Sequence, residues 1–375
     1  MVASGFFTRR RLVASLGLTT ALCACGPSHA PSGRLALIPP APPAYSVVVP
    51  VPPPPAPKPR PPAALAANIA QLGHDFDGRV GIAVDSVDDG WAVSSNGDQR
   101  MPQQSVSKLW VAMTVLDFRD SGRLTLDDPL TITKDDFTLF HQPVAALVKG
   151  DGYHTTVGEV LHRALTMSDN TCNDKLLRYV GGPQAVREFI ARKHLGNIRF
   201  GPGEKLLQSQ TAGLTWKPEY AFGDSFTRAR ARLPMTARLA AFESYVADPL
   251  DGAAPSAIAA ALAELKRGRL LSKASTDYLI GTMESSRTGP QRMRGAVPAG
   301  WQFGHKTGTG QDLGSRTAGY NDVGILIAPD GRAYTIAVMI GDTPQPIRVR
   351  QALMQAVVAS VVANHRPSAA SVFPG

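Results

Sequence analysis

Patterns typical of β-strands fall at the two ends of the folded part of this chain, and this placement limits the possible folds more than any other feature. Residues 78–99, GRVGIAVDSVDDGWAVSSNGDQ, alternate β-type residues around Asp-Asp-Gly and predict a hairpin. Residues 321–342, NDVGILIAPDGRAYTIAVMIGD, predict two strands around the turn at 329–331. Strands this far apart in sequence can share a core if they meet in one sheet.

Helical patterns dominate the middle of the chain, from Lys108 to about Tyr278, and residues 350–365 predict a closing amphipathic helix. The chain has 375 residues, of which 43% are hydrophobic, enough for one large domain or two smaller ones. We therefore predict an α/β (α+β) fold, in which one sheet of distant segments lies beside a helical subdomain.

Residues 1–25 predict an export signal. Residues 8–13, TRRRLV, resemble a twin-arginine motif, and the apolar stretch that follows is too short to span a bilayer. The next residues, LCAC, resemble a bacterial lipobox with Cys25 as the lipidated residue, and cleavage without a lipid is the alternative. Both alternatives imply a periplasmic or other extracytoplasmic location, with membrane contact only through the lipid.

Residues 26–63 predict a tether, because the stretch 27–62 holds nearly half of the 31 prolines. An extended polyproline helix of about 3.1 Å per residue would hold the domain on the order of 100 Å from its anchor. The folded domain is expected at residues 64–366, followed by a flexible tail at 367–375.

The composition argues against several classes of partner. The net charge is +9, but the basic residues are scattered and no groove-binding motif accompanies them, so we expect no nucleic acid. Of three cysteines only Cys172 lies in the predicted domain, where it reads as a small buried residue without a disulfide. The eight histidines lack metal-ligand spacing, so we expect no metal. We also expect no cofactor and a monomer.

The segment at residues 103–116, QQSVSKLWVAMTVL, places two polar groups at the head of an apolar helix. Ser105 and Lys108 are three residues apart and share a helical face. A buried lysine is costly unless it is used. A serine nucleophile needs a base within hydrogen-bond reach, and a partly desolvated Lys108 can supply it.

Two further short motifs follow this pair. Each is weak alone, but their order and contexts make the set a strong signal, with the second at a helix edge and the third on a strand before a glycine-rich turn. The set consists of Ser105-Val106-Ser107-Lys108, Ser168-Asp169-Asn170 and Lys306-Thr307-Gly308.

These motifs and their surroundings resemble the class A β-lactamases, a class of penicillin-recognising serine enzymes. The resemblance spans residues 66–365, and residues 286–310 and 320–331 are closest to the extended-loop subgroup. It implies a five-stranded antiparallel sheet flanked by helices, an all-helical subdomain, and hydrolysis of small-molecule β-lactams through a serine acyl-enzyme.

The resemblance also implies roles for the motif residues. Ser105 would attack the lactam carbonyl, and its backbone N–H and that of Thr309 would form an oxyanion hole. Ser168 would pass a proton to the leaving nitrogen. The remaining motif residues would bind the substrate's amide and carboxylate: Asn170, Lys306, Thr307 and Gly308.

The class uses a glutamate in an E-x-x-L-N pattern to activate water for deacylation, and here residues 204–208 read EKLLQ. We expect Glu204 to be this base, with Gln208 replacing the asparagine that helps to hold the water. Glutamine is one methylene longer but has the same donor and acceptor, so deacylation can be slow. Glu219, in WKPE at 216–219, is the alternative base, although a lysine occupies the base position in that alignment.

Between Gln208 and Pro255 the chain is longer than is usual in the class, with a helix predicted around Met235 to Ala247. This insertion is expected to enlarge the loop beneath the active site, so relatives do not predict the range of substrates. Arg287 and Arg316 are candidates for an additional carboxylate-binding cation.

Two other functions fit parts of the sequence. Gln208 and the insertion favour a D,D-peptidase that deacylates slowly, as penicillin-binding proteins do. The tether and the basic composition favour a non-catalytic envelope-binding module, which the intact nucleophile and lysines argue against.

Overall fold

The computed structural model describes residues 59–367. The predicted export signal, Cys25 and nearly all of the predicted tether and tail lie outside the described residues. The first elements in chain order are α1 Ala63–Asp75, β1 Arg79–Ser86, β2 Ala92–Ser95, α2 Lys108–Asp120, β3 Pro129–Ile132, β4 Tyr153–Thr156, α3 Val157–Thr166, α4 Asn170–Tyr179 and α5 Pro183–Arg192. Next come α6 Glu204–Thr211, α7 Ser225–Arg232, α8 Met235–Ala247, α9 Pro255–Lys266 and α10 Lys273–Glu284. The chain ends with β5 Gln302–Thr309, β6 Asp312–Leu313, β7 Arg316–Thr317, β8 Tyr320–Ile327, β9 Ala333–Asp342 and α11 Ile347–Ala363.

The main sheet has five antiparallel strands in the order β2-β1-β9-β8-β5. Strand β1 pairs with β9, for example through Ile82 opposite Val338. The prediction that distant segments form one sheet is therefore confirmed. The predicted hairpins β1–β2 and β8–β9 are confirmed as well.

Both faces of the sheet are buried, and strand β9 shows how. Ile336, Val338 and Ile340 pack in the core that includes α1 and α11. The alternate residues Ala337 and Met339 point into the second core, which contains α2, α9 and α10. A strand covered on both faces is expected to be continuously apolar, as this one is.

The helical subdomain is built around α2, whose first ten residues are all buried. Its indole at Trp110 is fully covered and donates to Gln103 Oε1 at 2.6 Å. Cys172 is also fully buried and unpaired. No helix among residues 59–367 is long and apolar enough to cross a membrane.

Two features of this region were not predicted. Strands β3 and β4 form a small antiparallel sheet, and with four residues each they are too short for a period of two to be recognised. Helix α7 belongs to the insertion and is rich in arginine, so it carries no apolar stripe. The second insertion helix, α8, has the bounds that the sequence predicted.

Helix α8 holds the insertion against the domain. Its buried side chains join a small core made with α6 and the β6–β7 hairpin, which contains Leu207, Phe242, Tyr245, Val246, Leu313 and Ala318. The insertion is therefore a packed part of the domain and not a free loop.

We predict that Phe242→Ala lowers the free energy of unfolding by about 3 kcal/mol, because it leaves a cavity in this small core. Phe242 is 2% exposed, whereas Leu239 in the same helix is 44% exposed. Leu239→Ala is the control and should change the free energy by less than about 0.5 kcal/mol. Urea unfolding measures both, and equal losses in the two variants would contradict the packing described here.

Candidate active site

A cleft of about 540 Å³ lies where the end of β5 meets the helical subdomain. Residues from all three motifs line it, together with residues of the insertion and of the loop after β5. The lining consists of Ser105, Phe140, His141, Ser168, Asn170, Gln208, Arg230, Thr288, Gly289, Arg292, Thr307, Thr309, Gly310, Gln311 and Asp312. A larger groove of about 730 Å³ elsewhere on the helical subdomain contains none of the motif residues.

Ser105 lies in a 3₁₀ turn, Gln104–Ser107 (the serine turn), that leads directly into α2. Lys108 Nζ is 2.6 Å from Ser105 Oγ, as their spacing predicted. Gln104, just before the serine, has a φ of +53°, a region that side chains other than glycine rarely occupy. The Gln104 N–H donates to Asp251 Oδ2 at 2.7 Å, which helps to hold this strained backbone in place.

The ammonium of Lys108 is surrounded by three oxygens from three different segments. Besides Ser105 Oγ, it contacts Asn170 Oδ1 at 2.6 Å and Glu204 Oε1 at 2.7 Å. The side chains of Lys108 and Glu204 are 0% and 3% exposed. An ammonium has three protons, so every proton of Lys108 has an acceptor. The candidate nucleophile, Ser105, and the candidate base for deacylation, Glu204, therefore both contact the amine nitrogen of Lys108, the candidate base for acylation.

Glu204 is the first residue of α6, and a neighbouring helix fixes it there. The Asp174 carboxylate, from α4, accepts hydrogen bonds from the N–H groups of Glu204 at 2.8 Å and Lys205 at 3.2 Å. These bonds satisfy two free donors of the helix start. Burial and the charge of Glu204 raise the pKa of Asp174. Glu219, in contrast, has a side chain that is 59% exposed, pairs with Lys217 at 3.9 Å and lies outside the cleft.

Gln208 lies within one turn of Glu204 and belongs to a chain of three amides. Its Nε2 donates to Gln104 Oε1 at 2.9 Å and lies 3.4 Å from Glu204 Oε2. Its Oε1 accepts from Gln311 Nε2 at 3.1 Å. The longer side chain thus links the candidate base to the residue before Ser105 and to the loop after β5.

Strand β5 carries the third motif along the edge of the cleft. Lys306 Nζ donates to Ser168 Oγ at 2.8 Å, which joins the second and third motifs. Burial, and next the charge of Lys108, hold the pKa of Lys306 well below its ordinary range. A Cβ at Gly308 would lie 2.3 Å from Gln103 O, so only glycine allows the strand to approach the serine turn this closely.

The second motif combines a strained serine with a structural aspartate. Ser168 has a φ of +58°. The Asp169 carboxylate caps α4 by accepting from Cys172 N at 2.9 Å, and also accepts from Val144 N at 2.6 Å. Asp169 is fully buried, so it supports the backbone that presents Ser168 and Asn170 to the cleft.

Arg292 is a cleft residue that the sequence did not reveal. It lies behind β5 and donates to Gly308 O at 2.9 Å and Thr309 Oγ1 at 2.5 Å, with its guanidinium 3.7 Å from the ring centroid of Tyr320. Burial lowers the pKa of Arg292. The candidates Arg287 and Arg316 do not line the cleft, and Arg316 is bound to Asp342 and Glu243.

The insertion reaches the serine turn through Tyr245. The Tyr245 hydroxyl accepts from Gln104 Nε2 at 2.7 Å and donates to Asp251 Oδ1 at 2.9 Å. Burial raises the pKa of Asp251 to about 7. Sequence reasoning missed Tyr245 and Asp251 because no motif marks them and because Gln104, which both contact, lies more than 140 positions away.

Comparison with known proteins gives one consistent result. A family model described as "Beta-lactamase enzyme family" matches residues 64–364. The extended-spectrum β-lactamase PER-1 of Pseudomonas aeruginosa is 28% identical over 279 residues, covering 74% of this chain and 80% of that protein. The β-lactamase VEB-1 of the same organism is 24% identical, covering 74% of this chain and 82% of that protein.

Solved structures give the same result. The TLA-1 extended-spectrum β-lactamase superposes with a TM-score of 0.66 at 26% identity, covering 80% of this chain and 98% of that one. A β-lactamase from Chitinophaga pinensis has a TM-score of 0.65 at 27% identity, with 79% and 97% covered. An ancestral class A β-lactamase has a TM-score of 0.62 at 29% identity, with 80% and 100% covered.

We predict that Asp251→Asn flattens the dependence of stability on pH. With a pKa of about 7 in the folded protein against about 3.8 in the unfolded chain, Asp251 binds more protons when folded. Its contribution to the free energy of unfolding is therefore present at low pH and is lost as the pH rises through about 7. The asparagine cannot titrate, so this loss should disappear.

Urea unfolding between about pH 4 and pH 8 measures the effect. Burial also raises the pKa of Asp85, to about 6, but Asp85 is present in both proteins, so the difference between the two curves isolates Asp251. Parallel curves for the wild type and Asp251→Asn would show that Asp251 titrates normally.

Proposed function

Since the chain belongs to the beta-lactamase enzyme family and is a class A serine β-lactamase, it hydrolyses β-lactams, and we propose that it does so through an acyl-enzyme on Ser105. The observation that carries this assignment is that one atom, Lys108 Nζ, contacts Ser105, Asn170 and Glu204. A nucleophile and two bases that share one proton network can exchange protons without bulk water.

Acylation begins with a proton transfer inside this network. Lys108 gives a proton to Glu204 across their 2.7 Å contact, and the pair becomes neutral. The lone pair left on Nζ then accepts the proton of Ser105 as Oγ forms a bond to the lactam carbonyl carbon. The carbonyl oxygen takes up the negative charge, and the backbone N–H groups of Ser105 and Thr309 stabilise it.

Ring opening requires a proton at the leaving nitrogen. The Ser168 hydroxyl supplies it as the carbon–nitrogen bond breaks, and Lys108 then gives Ser168 the proton that it took from Ser105. Lys306 donates to Ser168 Oγ at 2.8 Å and holds the hydroxyl in place. On the same strand, Lys306 and Thr307 bind the substrate carboxylate, beside Gly308, while Asn170 binds the side-chain amide. Arg292 adds positive potential behind the strand.

Before deacylation, Glu204 returns to Lys108 the proton that it took up during acylation, so it is a carboxylate again. It takes a proton from water, the water oxygen attacks the ester carbonyl, and Ser105 leaves with a proton returned by the network. Gln208 replaces the asparagine of the class near this water, but its amide also bonds to Gln104 and Gln311. We expect these competing bonds to make deacylation the slower half of the reaction.

We predict that Glu204→Gln lowers nitrocefin turnover by about a hundredfold or more, because the acyl-enzyme loses its base for water. Acylation should slow as well, since Lys108 loses its proton acceptor, but the adduct that mass spectrometry detects on Ser105 should persist for longer than in the wild type. Ser105→Ala is the matched control and should give neither turnover nor adduct. Glu219→Gln should behave as the wild type does, and rapid turnover by Glu204→Gln would assign deacylation to another base.

We also propose that the enzyme works outside the cytoplasm at a membrane. Residues 1–25 would direct export by the twin-arginine route and supply the lipid on Cys25. Residues 26–63 would hold the catalytic domain, 64–366, away from that anchor, with 367–375 as a tail. One lipid chain binds a membrane only weakly, so stable attachment needs the two or more chains of a bacterial lipoprotein. The enzyme would act as a monomer.

We predict that Cys25→Ser releases the enzyme from the membrane fraction without reducing nitrocefin turnover per molecule. The lipid is lost, whereas the active site is untouched. Phase partition in detergent and the mass of the N-terminal peptide measure the change, and Cys23→Ser is the control. A wild-type protein that is already in the aqueous phase would contradict lipidation.

A further inference from the structure

Two arginines of the insertion, Arg230 and Arg238, are near enough to repel each other, and Arg230 lines the cleft. Arg230, from α7, lines the cleft and donates through Nη2 to Asp312 O at 2.7 Å. Its Nε is buried without a hydrogen-bond partner, and the same is true of Arg238 Nε, from α8. Neither arginine forms an ion pair with any residue between 59 and 367. Each of these guanidinium groups therefore has an N–H donor without an acceptor among residues 59–367.

The electrostatics of this pair favour an anion. Burial, and then the charge of Arg238, lower the pKa of Arg230, while Asp312 opposes the shift only in part. Two cations that are partly desolvated and repel each other gain stability when a negative group binds between or beside them. Arg232 and Arg228, on the same helix, are exposed to solvent and lack this setting.

Arg230 lies past the C-terminal end of β5, beyond the residues assigned to the core carboxylate. That carboxylate is assigned to Lys306 and Thr307, within the strand. Arg230 binds the carbonyl of Asp312, which lies beyond the last residue of the strand, Thr309. A β-lactam whose amide is held by Asn170 has its acyl side chain on the far side of that amide, and Arg230 lines the same cleft as Asn170.

We propose that Arg230, supported by Arg238, binds an anionic group on the acyl side chain, so that the enzyme prefers β-lactams with a side-chain carboxylate. This inference rests on the proposed function, because it takes the orientation of the substrate from Ser105 and Asn170. The guanidinium fork offers paired N–H donors to a carboxylate, which a single surface charge does not.

The test compares carbenicillin with benzylpenicillin, which differ by one carboxylate on the acyl side chain. We expect Arg230→Gln to lower the ratio of their kcat/KM values by about tenfold, mainly through a higher KM for carbenicillin. Arg230→Lys should restore part of the ratio, since it keeps the charge but loses the fork. Arg228→Gln removes the same charge from the same helix and should leave the ratio unchanged.

The outcomes are distinguishable. An unchanged ratio in Arg230→Gln would overturn the inference, and so would an equal fall of the ratio in Arg228→Gln, which would indicate only a general effect of net charge. Absence of benzylpenicillin hydrolysis by the wild type would instead contradict the proposed function. Turnover of benzylpenicillin by Arg230→Gln also shows that the variant has folded.

Discussion

The buried ammonium of Lys108 is the interaction on which the rest of the site depends. It binds one oxygen from each of three segments: the serine turn, α4 and α6. A buried cation is tolerated only when its protons are accepted and its charge is balanced. The fold meets this requirement with Asn170 and Glu204, so the contacts that stabilise the helical subdomain around α2 also form the proton network for catalysis.

The second constraint is the close approach of β5 to the serine turn. Gly308 allows this approach, since any side chain there would meet the carbonyl of Gln103. The approach carries Lys306 to Ser168 and fixes the distance between the two halves of the cleft. Gln104 and Ser168 both have a strained backbone, with Ser168 lining the same cleft and Gln104 directly before the cleft residue Ser105. Buried carboxylates hold the backbone at both points: Asp251 beside Gln104 and Asp169 beside Ser168.

The sequence predicted the parts of the structure that depend on local order. Residues close together in the sequence determine the strands with alternating side chains and the long apolar helix α2. They also determine the spacing of Ser105 and Lys108. The motif residues could be expected to meet only because their combined order resembles a known class. Arg292 and Tyr245 could not be predicted, because their importance comes from partners far away in sequence. Helix α7 has no apolar stripe and was missed for that reason.

The hydroxyl of Tyr245 has a consequence for the evolution of this enzyme. Surface insertions are usually free to shorten or lengthen, since few contacts cross from them to the body of the domain. Here one phenol of the insertion is bonded to the residue that precedes the nucleophile. Deletions within the insertion would therefore alter the alignment of Ser105 itself, and grafting a relative's shorter loop would require a new partner for Gln104.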